Sequence, residues 1–373
     1  MTAGRRWWLV GLGVLLLVAS PVLVRALPAK DSEVSSRTLL QRIHQARDVS
    51  FSGYAESAGN VALPANDALS GVTNSLSETT RVRVWWRDHQ VWRTSSLRPT
   101  GETDLVHAGD RTLRWVYESE RATLYPDVPV RLPTAVDLLP HELARRMLAG
   151  ARSTELSRIP ARRVAGRDAL GLRLAPGDEQ AAIGRVDVYA DRATAVPLRV
   201  EVFAKGVRVP VLTTSFLDFS EGRPSSRSLT FHPRDNARMH YDSVVDLASA
   251  ADRFASRIPP TSLAGLPDRG MAKENFYRRE QGSVGVYGRG PTVLFAIPLW
   301  HRTAERVRED LESQPGVQEL DQGLLIGAAP LRVLLAAPEH HDNSWLLAGT
   351  VTQEALTEAA DELVAHRPEL RAP

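Results

Sequence analysis

His141-Glu142-Leu143-Ala144-Arg145 is the nearest approach in this 373-residue chain to a zinc-protease helix. That chemistry needs two imidazoles four residues apart on one helical face, with the Glu between them as general base. Arg145 stands where the second His belongs and would repel the ion, so His141 and Glu142 read as first-turn residues of a helix. His340-His341-Asp342-Asn343 gathers possible metal ligands, but between two strands such a run makes a solvated turn. His232 and His240 bracket Asp235 and read as surface histidines, and Asp178-Glu179 lies in a turn-like stretch. Gly282-Ser283-Val284-Gly285 misses the spacing of a nucleophile elbow. Gly285, Gly288 and Gly290 give the dinucleotide-loop spacing reversed and open no helix. The absence of Cys removes disulfides, thiolate zinc sites, a cysteine nucleophile and a lipidated cysteine. The expectation is a protein with no catalytic residue, no metal and no cofactor.

Composition agrees with a packed globular chain whose charges nearly balance. Hydrophobic residues make up 43% and charged residues 24%, which suits a globular core and excludes a disordered chain. Lys plus Arg number 46 against 44 for Asp plus Glu, a net +2 that gives no field for nucleic acid.

The elements that position any site begin after an address. Arg5 and Arg6 precede an uncharged run from Trp7 to Val24, closed by Arg25. About eighteen residues at ~1.5 Å each reach roughly 27 Å, enough to cross a thin bilayer. The candidate cleavage sites put Arg or Pro before the cut, which favours an uncleaved transmembrane helix over a cleaved signal. Either way the bulk of the chain is extracytoplasmic, with the basic pair left inside.

Leu39, Leu40, Ile43 and Ala46 give a short amphipathic helix, followed by a strand over Val49 to Glu56 and a loop over Gly59 to Ser77. From Thr79 the period is two. Arg81 to Arg87, Val91 to Ser96, Asp104 to Ala108, Thr112 to Glu118 and Ala122 to Tyr125 read as antiparallel strands joined by short turns. The spacing of Leu139, Leu143 and Met147 predicts a helix over Val136 to Gly150. Alternation returns in Leu170 to Leu174, Val186 to Ala190, Leu198 to Val202 and Val209 to Phe219. Ser228 to Phe231 reads as a last strand and Val244 to Ser256 as a closing helix. Residues 259–283 lack apolar periodicity and read as a linker. Beyond them, the strands and helices between Thr292 and His366 suggest a small α+β domain.

Trp85, Trp86, Trp92 and Trp115 crowd this strand-forming region. They fill an ordinary β core, or they line an apolar groove on a sheet that few helices cover, of the kind that takes acyl chains.

Three passages carry a resemblance. They are Arg83-Val84-Trp85-Trp86-Arg87 with Val91-Trp92-Arg93, then Ala108-Gly109-Asp110-Arg111-Thr112-Leu113-Arg114-Trp115-Val116-Tyr117, then Val186-Asp187-Val188-Tyr189-Ala190-Asp191 with Ala195-Val196-Pro197-Leu198-Arg199-Val200-Glu201. With these hairpins the region from about Ser35 to Ser256, roughly 60% of the chain, resembles the LolA/RseB-like envelope proteins. The resemblance implies an α+β fold in which an open antiparallel β half-barrel wraps around short helices and offers an apolar concave face. It implies binding of lipid or lipoprotein acyl chains without catalysis. RseB-like members add a C-terminal domain and hold an anti-sigma factor until envelope stress is signalled.

The expected organisation is residues 1–29 as anchor or signal, 30–258 as the half-barrel, 259–283 as linker and 284–366 as the α+β domain. Val84, Trp86, Leu113, Trp115, Tyr117, Val186, Val188, Val200 and Val202 are expected on the concave face, with Leu139, Leu143 and Met147 covering part of it. Arg83, Arg87, Arg114, Asp187, Arg199 and Glu201 are then sent to the wet face. An anchor forbids shuttling and favours a tethered sensor, or an accessory of an envelope membrane complex. Its partners are then the membrane, acyl chains, and an anti-sigma factor or transporter membrane protein, with no nucleic acid. A ligand-free envelope scaffold is the alternative, with an exported hydrolase behind it.

Overall fold

The computed structural model describes residues 29–59, 79–98, 101–126, 134–231, 238–241, 259–269, 284–337 and 344–365. The apolar run 7–24, most of the 59–77 loop, the helix expected over 244–256, the His340–Asn343 run and the side chains of His232, Asp235 and His240 lie outside these residues. Among the described residues no helix is long and apolar enough to cross a membrane.

The chain opens with α1 (Ser36–Gln45), where Ser35 caps the first turn by accepting from the Thr38 amide at 3.1 Å. Leu39 and Ile43, four apart, turn into the core. Strands β1 (Phe51–Gly59), β2 (Thr79–Asp88), β3 (Val91–Arg98), β4 (Gly101–Ala108), β5 (Arg111–Val116) and β6 (Arg121–Pro126) follow. The expected alternation in β2 is present, with Thr80, Val82, Val84 and Trp86 buried between exposed neighbours as far as Arg83.

The helix expected over 136–150 is two pieces. A single 3-10 turn covers Ala135–Leu138, and α2 covers Pro140–Met147. Pro140 is the reason: it has no N–H to donate and drives Leu139 out of the helical region, to φ −61° and ψ 141°. Leu139 therefore stands before the helix rather than within it.

Strands β7 (Leu156–Val164), β8 (Arg167–Leu174), β9 (Ile183–Asp191), β10 (Pro197–Ala204) and β11 (Leu212–Glu221) form a second meander. The last strand expected over Ser228 to Phe231 is not formed: Ser226–Leu229 is a short helix α3, capped by Ser225, which accepts from the Ser228 amide. The strand β12 (Arg238–Tyr241) comes after it.

All twelve strands join in one sheet, in the order β12-β6-β5-β4-β3-β2-β1-β11-β10-β9-β8-β7. Every pairing in it is antiparallel except β12 with β6. β1 lies inside the sheet, between β2 and β11, and a bulge at Tyr54/Ala55 bends its pairing with β11. Gly53 faces that bend, where a Cβ would sit 2.7 Å from the Asp218 carbonyl and 2.9 Å from the Phe216 ring. Helices α1 and α2 pack on one face of β7–β10, through Leu39, Ile43, Leu143 and Ala144 against Leu172, Val188 and Val200.

A six-stranded antiparallel sheet follows, in the order β15-β16-β20-β19-β18-β17. Its members are β15 (Gly285–Arg289), β16 (Thr292–Leu299), β17 (Gln318–Leu320), β18 (Gly323–Ala328), β19 (Leu331–Ala336) and β20 (Ser344–Gly349). It carries α4 (His301–Glu312) and α5 (Gln353–Ala365). Part of the stretch read as linker is structured: β13 (Ser262–Leu263) and β14 (Leu266–Pro267) form a hairpin. Leu263 and Leu266 of that hairpin are buried with Tyr287, Leu294 and Trp345. Two apolar residues flanking a tight turn leave no periodicity to detect, although they fill a core position.

The two sheets touch through backbone as well as side chains. Ala181 bridges Val351, the Ala182 amide donates to the Thr350 carbonyl at 3.1 Å, and the Thr352 amide donates to the Gln180 carbonyl at 2.8 Å.

Candidate ligand-binding face

Residues paired directly across an antiparallel sheet share a face, so the register assigns each expected site residue. Starting from Trp86, the row runs to Phe51 on β1 and, on the other side, through Trp92, His107, Thr112 and Tyr125. The first four rings stack across the strands. Phe51 lies 6.2 Å from Trp86, Trp86 5.8 Å from Trp92, and Trp92 5.0 Å from His107. Stacked rings at these separations hold one another in place as well as burying area. His107 continues the row through a 3.0 Å contact between its Nδ1 and the Thr112 hydroxyl.

The next row along holds Val84 with Thr94, Leu105 and Arg114. Along β1 and β11 the same face carries Ala55, Ser57, Thr214 and Phe216, and it passes from Thr214 to Val200, Val188 and Leu172. Val84, Trp86, Val186, Val188, Val200 and Val202 therefore share one face, and all six are buried. Leu139 packs with Val84 and Trp86, while Leu143 and half-buried Met147 pack with the four β9–β10 valines.

Leu113, Trp115 and Tyr117 do not join them. Leu113 lies in the row of Trp85, Arg93 and Val106, and Trp115 in the row of Arg83, Ser95 and Asp104. These are the opposite face of the sheet, and Arg114, exposed as expected, is the residue that β5 turns to the same face as Val84. Apolar residues populate both faces of β5, so alternation inside the strand could not say which face was which. On the outer face Trp115 packs 5.3 Å from Phe231, and Arg93 lies over both Trp85 and Phe231. Asp104 has no exposed surface there, pairs with Arg93 at 2.5 Å and accepts from the Tyr117 hydroxyl at 3.2 Å. Tyr117 itself is 39% exposed.

His141, in the first turn of α2, reaches down to the aromatic row. Its ring lies 4.4 Å from Trp86 and 5.0 Å from Phe51, edge-on to both. Both ring nitrogens are sealed from solvent and have no protein partner, and burial pushes the imidazole pKa down to about 4. The neutral ring packs as a further aromatic surface against Trp86 and Phe51. Glu142 beside it binds Arg145 at 2.6 Å, so the pair that imitates a zinc helix is a histidine in an aromatic cage and a helix-surface ion pair. Among the described residues no group of three or more His, Asp or Glu could hold a metal ion.

Above β1 and β2 the Ala135–Leu138 turn closes the face. The carboxylate of Asp137 accepts from the Thr134 amide and hydroxyl and pairs with Arg146 of α2, which ties the turn to the helix. A void of about 10 Å³ remains beneath Leu138 and Leu139, bordered by Ala55 and Val82 and by the hydroxyl residues Ser57, Thr80 and Thr214. The sequence pattern hides these three, because each is a polar residue at an inward position of an otherwise apolar alternation. A second opening, about 430 Å³ and exposed to solvent, lies at the β2–β3 turn among Asp48, Ser50, Arg87, Asp88, His89, Gln90 and Arg223. Its two Arg and two Asp balance, and His89 is engaged with Asp48 at 2.8 Å.

No protein-family model matches the chain, and no curated protein matches it. Among solved structures it is similar to MucB in complex with MucA(peri), at 18% identity and a TM-score of 0.48, over 87% of this chain and 97% of that one. It is similar to the Pseudomonas aeruginosa MucA/MucB complex at 17% identity and a TM-score of 0.49, over 87% and 96%. It is similar to the LolA superfamily protein NE2245 from Nitrosomonas europaea at 10% identity and a TM-score of 0.26, over 53% and 98%. The LolA/RseB-like group named by the sequence resemblance is thus also represented among these structural likenesses.

Proposed function

We propose that the protein is a non-enzymatic, extracytoplasmic binding protein that takes the acyl chain of a lipid or lipoprotein against the inner face of its large sheet. In this reading Trp7 to Val24 tether it to the membrane, where it regulates or assists an envelope partner such as an anti-sigma factor or a transporter. The observation that supports it most is the pair of apolar clusters on this face, one around Trp86 and Trp92 and one around Val188 and Leu172, covered by two short helices and a single 3-10 turn rather than by a second sheet. Val84, Trp86, Val186, Val188, Val200 and Val202 form the floor, and Leu139, Leu143 and Met147 form a cover that can repack. An acyl chain gains ~0.8 kcal/mol for each CH₂ it buries, so about ten methylenes supply roughly 8 kcal/mol to set against the cost of association.

A second reading, a ligand-free envelope scaffold, is favoured by the closeness of the packing, since Val84, Trp86, Val188 and Val200 are each at most 2% exposed. Native mass spectrometry of detergent-free protein separates the two. Co-purified lipid, or uptake of a fluorescent phospholipid at micromolar concentration, is the expected result. Absence of both leaves the scaffold.

A further inference from the structure

Ser57 lies directly opposite Thr80 on β2 and directly opposite Thr214 on β11, so three hydroxyls form one row across the middle of the buried face. The row is flanked by apolar residues, Val82 on one side and Val200 beyond its end. All three residues are at most 4% exposed. The hydroxyls of Ser57 and Thr214 have no hydrogen-bond partner in the protein, and both residues border the same void beneath Leu138 and Leu139. Buried hydroxyls left unpartnered are costly, and folded proteins rarely keep two side by side without something to bind.

We propose that Thr80, Ser57 and Thr214 form a polar subsite for the neutral carbonyl of an acyl ester or amide, with the attached chain lying along the apolar face. This rests on the acyl-binding reading above and narrows it to a ligand class. The chemistry selects a neutral acceptor: each hydroxyl can donate to a carbonyl oxygen, which has two lone pairs to receive them. No ionisable side chain borders the void, so a free carboxylate or phosphate placed there would be a buried charge without a counterion. The apolar neighbours in turn require hydrocarbon on the flanks of that carbonyl. In the unloaded protein the void has room for one water, which would satisfy the same hydroxyls until a ligand replaces it.

The test compares two lysolipids that differ in one oxygen: 1-palmitoyl lysophosphatidylcholine, with an ester carbonyl, and its 1-hexadecyl ether analogue, without one. Binding of each to the full chain is measured below its micelle concentration. Wild type is expected to prefer the ester by about 3- to 10-fold, the worth of one or two net hydrogen bonds. In Ser57→Ala/Thr214→Val, which nearly conserves volume, the preference is expected to fall to about one while the ether lipid binds as before. Binding of both lipids to wild type without preference overturns the subsite and leaves the acyl reading standing, as does a preference undiminished in a folded double variant. If neither lipid binds wild type, the acyl reading fails and takes the subsite with it. Should the double variant not fold, the wild-type comparison decides alone, since it needs no substitution.

Discussion

Arg289, on β15 of the smaller sheet, closes on both carboxylate oxygens of Glu155, in the turn just before β7 of the larger one, at 2.5 and 2.8 Å. The same guanidinium reaches Asp178 at 3.0 Å and the Gly150 carbonyl at 3.1 Å. Glu155 also accepts from the Arg152 and Gly177 amides, at 2.8 and 2.9 Å. One ion pair therefore joins the two sheets and orders the turn between α2 and β7.

Removing its cation should loosen the union of the sheets. The Arg289 hydrogen bond, with the two amides, holds the Glu155 carboxyl down to about 2, against an ordinary 4.5. A carboxyl depressed on folding contributes stability above its unfolded pKa and loses it as pH falls toward the folded one. We expect about 3 kcal/mol from this site at neutral pH, lost between pH 4.5 and 2. Arg289→Ala should show most of that loss at pH 7 in calorimetry and a correspondingly smaller further loss in acid, since the Arg152 and Gly177 amides remain. An acid profile unchanged by the substitution would disprove the assignment.

His141 titrates in a different window. Its folded pKa of about 4 lies below the unfolded 6.5, so the unfolded chain takes up the proton first. Stability from this group is complete above pH 6.5 and falls as pH drops toward 4, by about 3 kcal/mol in all. Urea titrations at pH 7.5 and pH 5 should show that slope in wild type. His141→Leu should flatten it, and an equal slope in both proteins would place the titrating group elsewhere.

The two faces of the large sheet should answer charge differently. Val188→Glu puts an unpaired carboxylate among Leu172, Leu143 and Val200 and is expected to abolish cooperative unfolding. Leu113→Arg falls on the half-buried outer face and is expected to cost only about 1 kcal/mol. Thermal melts by circular dichroism decide it. Equal damage from both would mean that the outer face is as tightly enclosed as the inner one.

Arg93 and Asp104 should behave as a unit. Arg93→Ala leaves a carboxylate with no exposed surface and no cation, at a cost of about 3–5 kcal/mol. Adding Asp104→Asn should restore much of that loss, because the second change removes the stranded charge. A double-mutant cycle with strictly additive losses would argue that the contact carries no coupling.

These contrasts mark where the sequence was informative. Alternation within Arg81 to Trp86 located a strand and its buried side, because one face there is charged. Along β5 both sides carry apolar or aromatic residues, and only the pairing of Thr112 with His107 decides that Trp115 faces outward. The stripe of Leu139, Leu143 and Met147 was legible as a cover for the sheet, yet Pro140 displaced Leu139 from the helix that seemed to carry it. The hydroxyl row was invisible for a simpler reason. Ser57, Thr80 and Thr214 are far apart in sequence, and nothing short of the register of three strands shows that they meet.

The placement of β1 has a kinetic consequence. Most of the large sheet is built from hairpins whose strands are neighbours in the chain, and such pairs close quickly. β1 is synthesised before all of them, but the edge it turns away from β2 pairs only with β11, so Phe51 waits for Glu221. Until that long loop closes, the first strand offers an open edge and Phe51 lacks the rings of Phe216 and Phe219. The ordering of the chain thus makes completion of the inner face the slow, late event of folding, and a chain interrupted before Leu212 would hold an unpaired strand at the middle of its sheet.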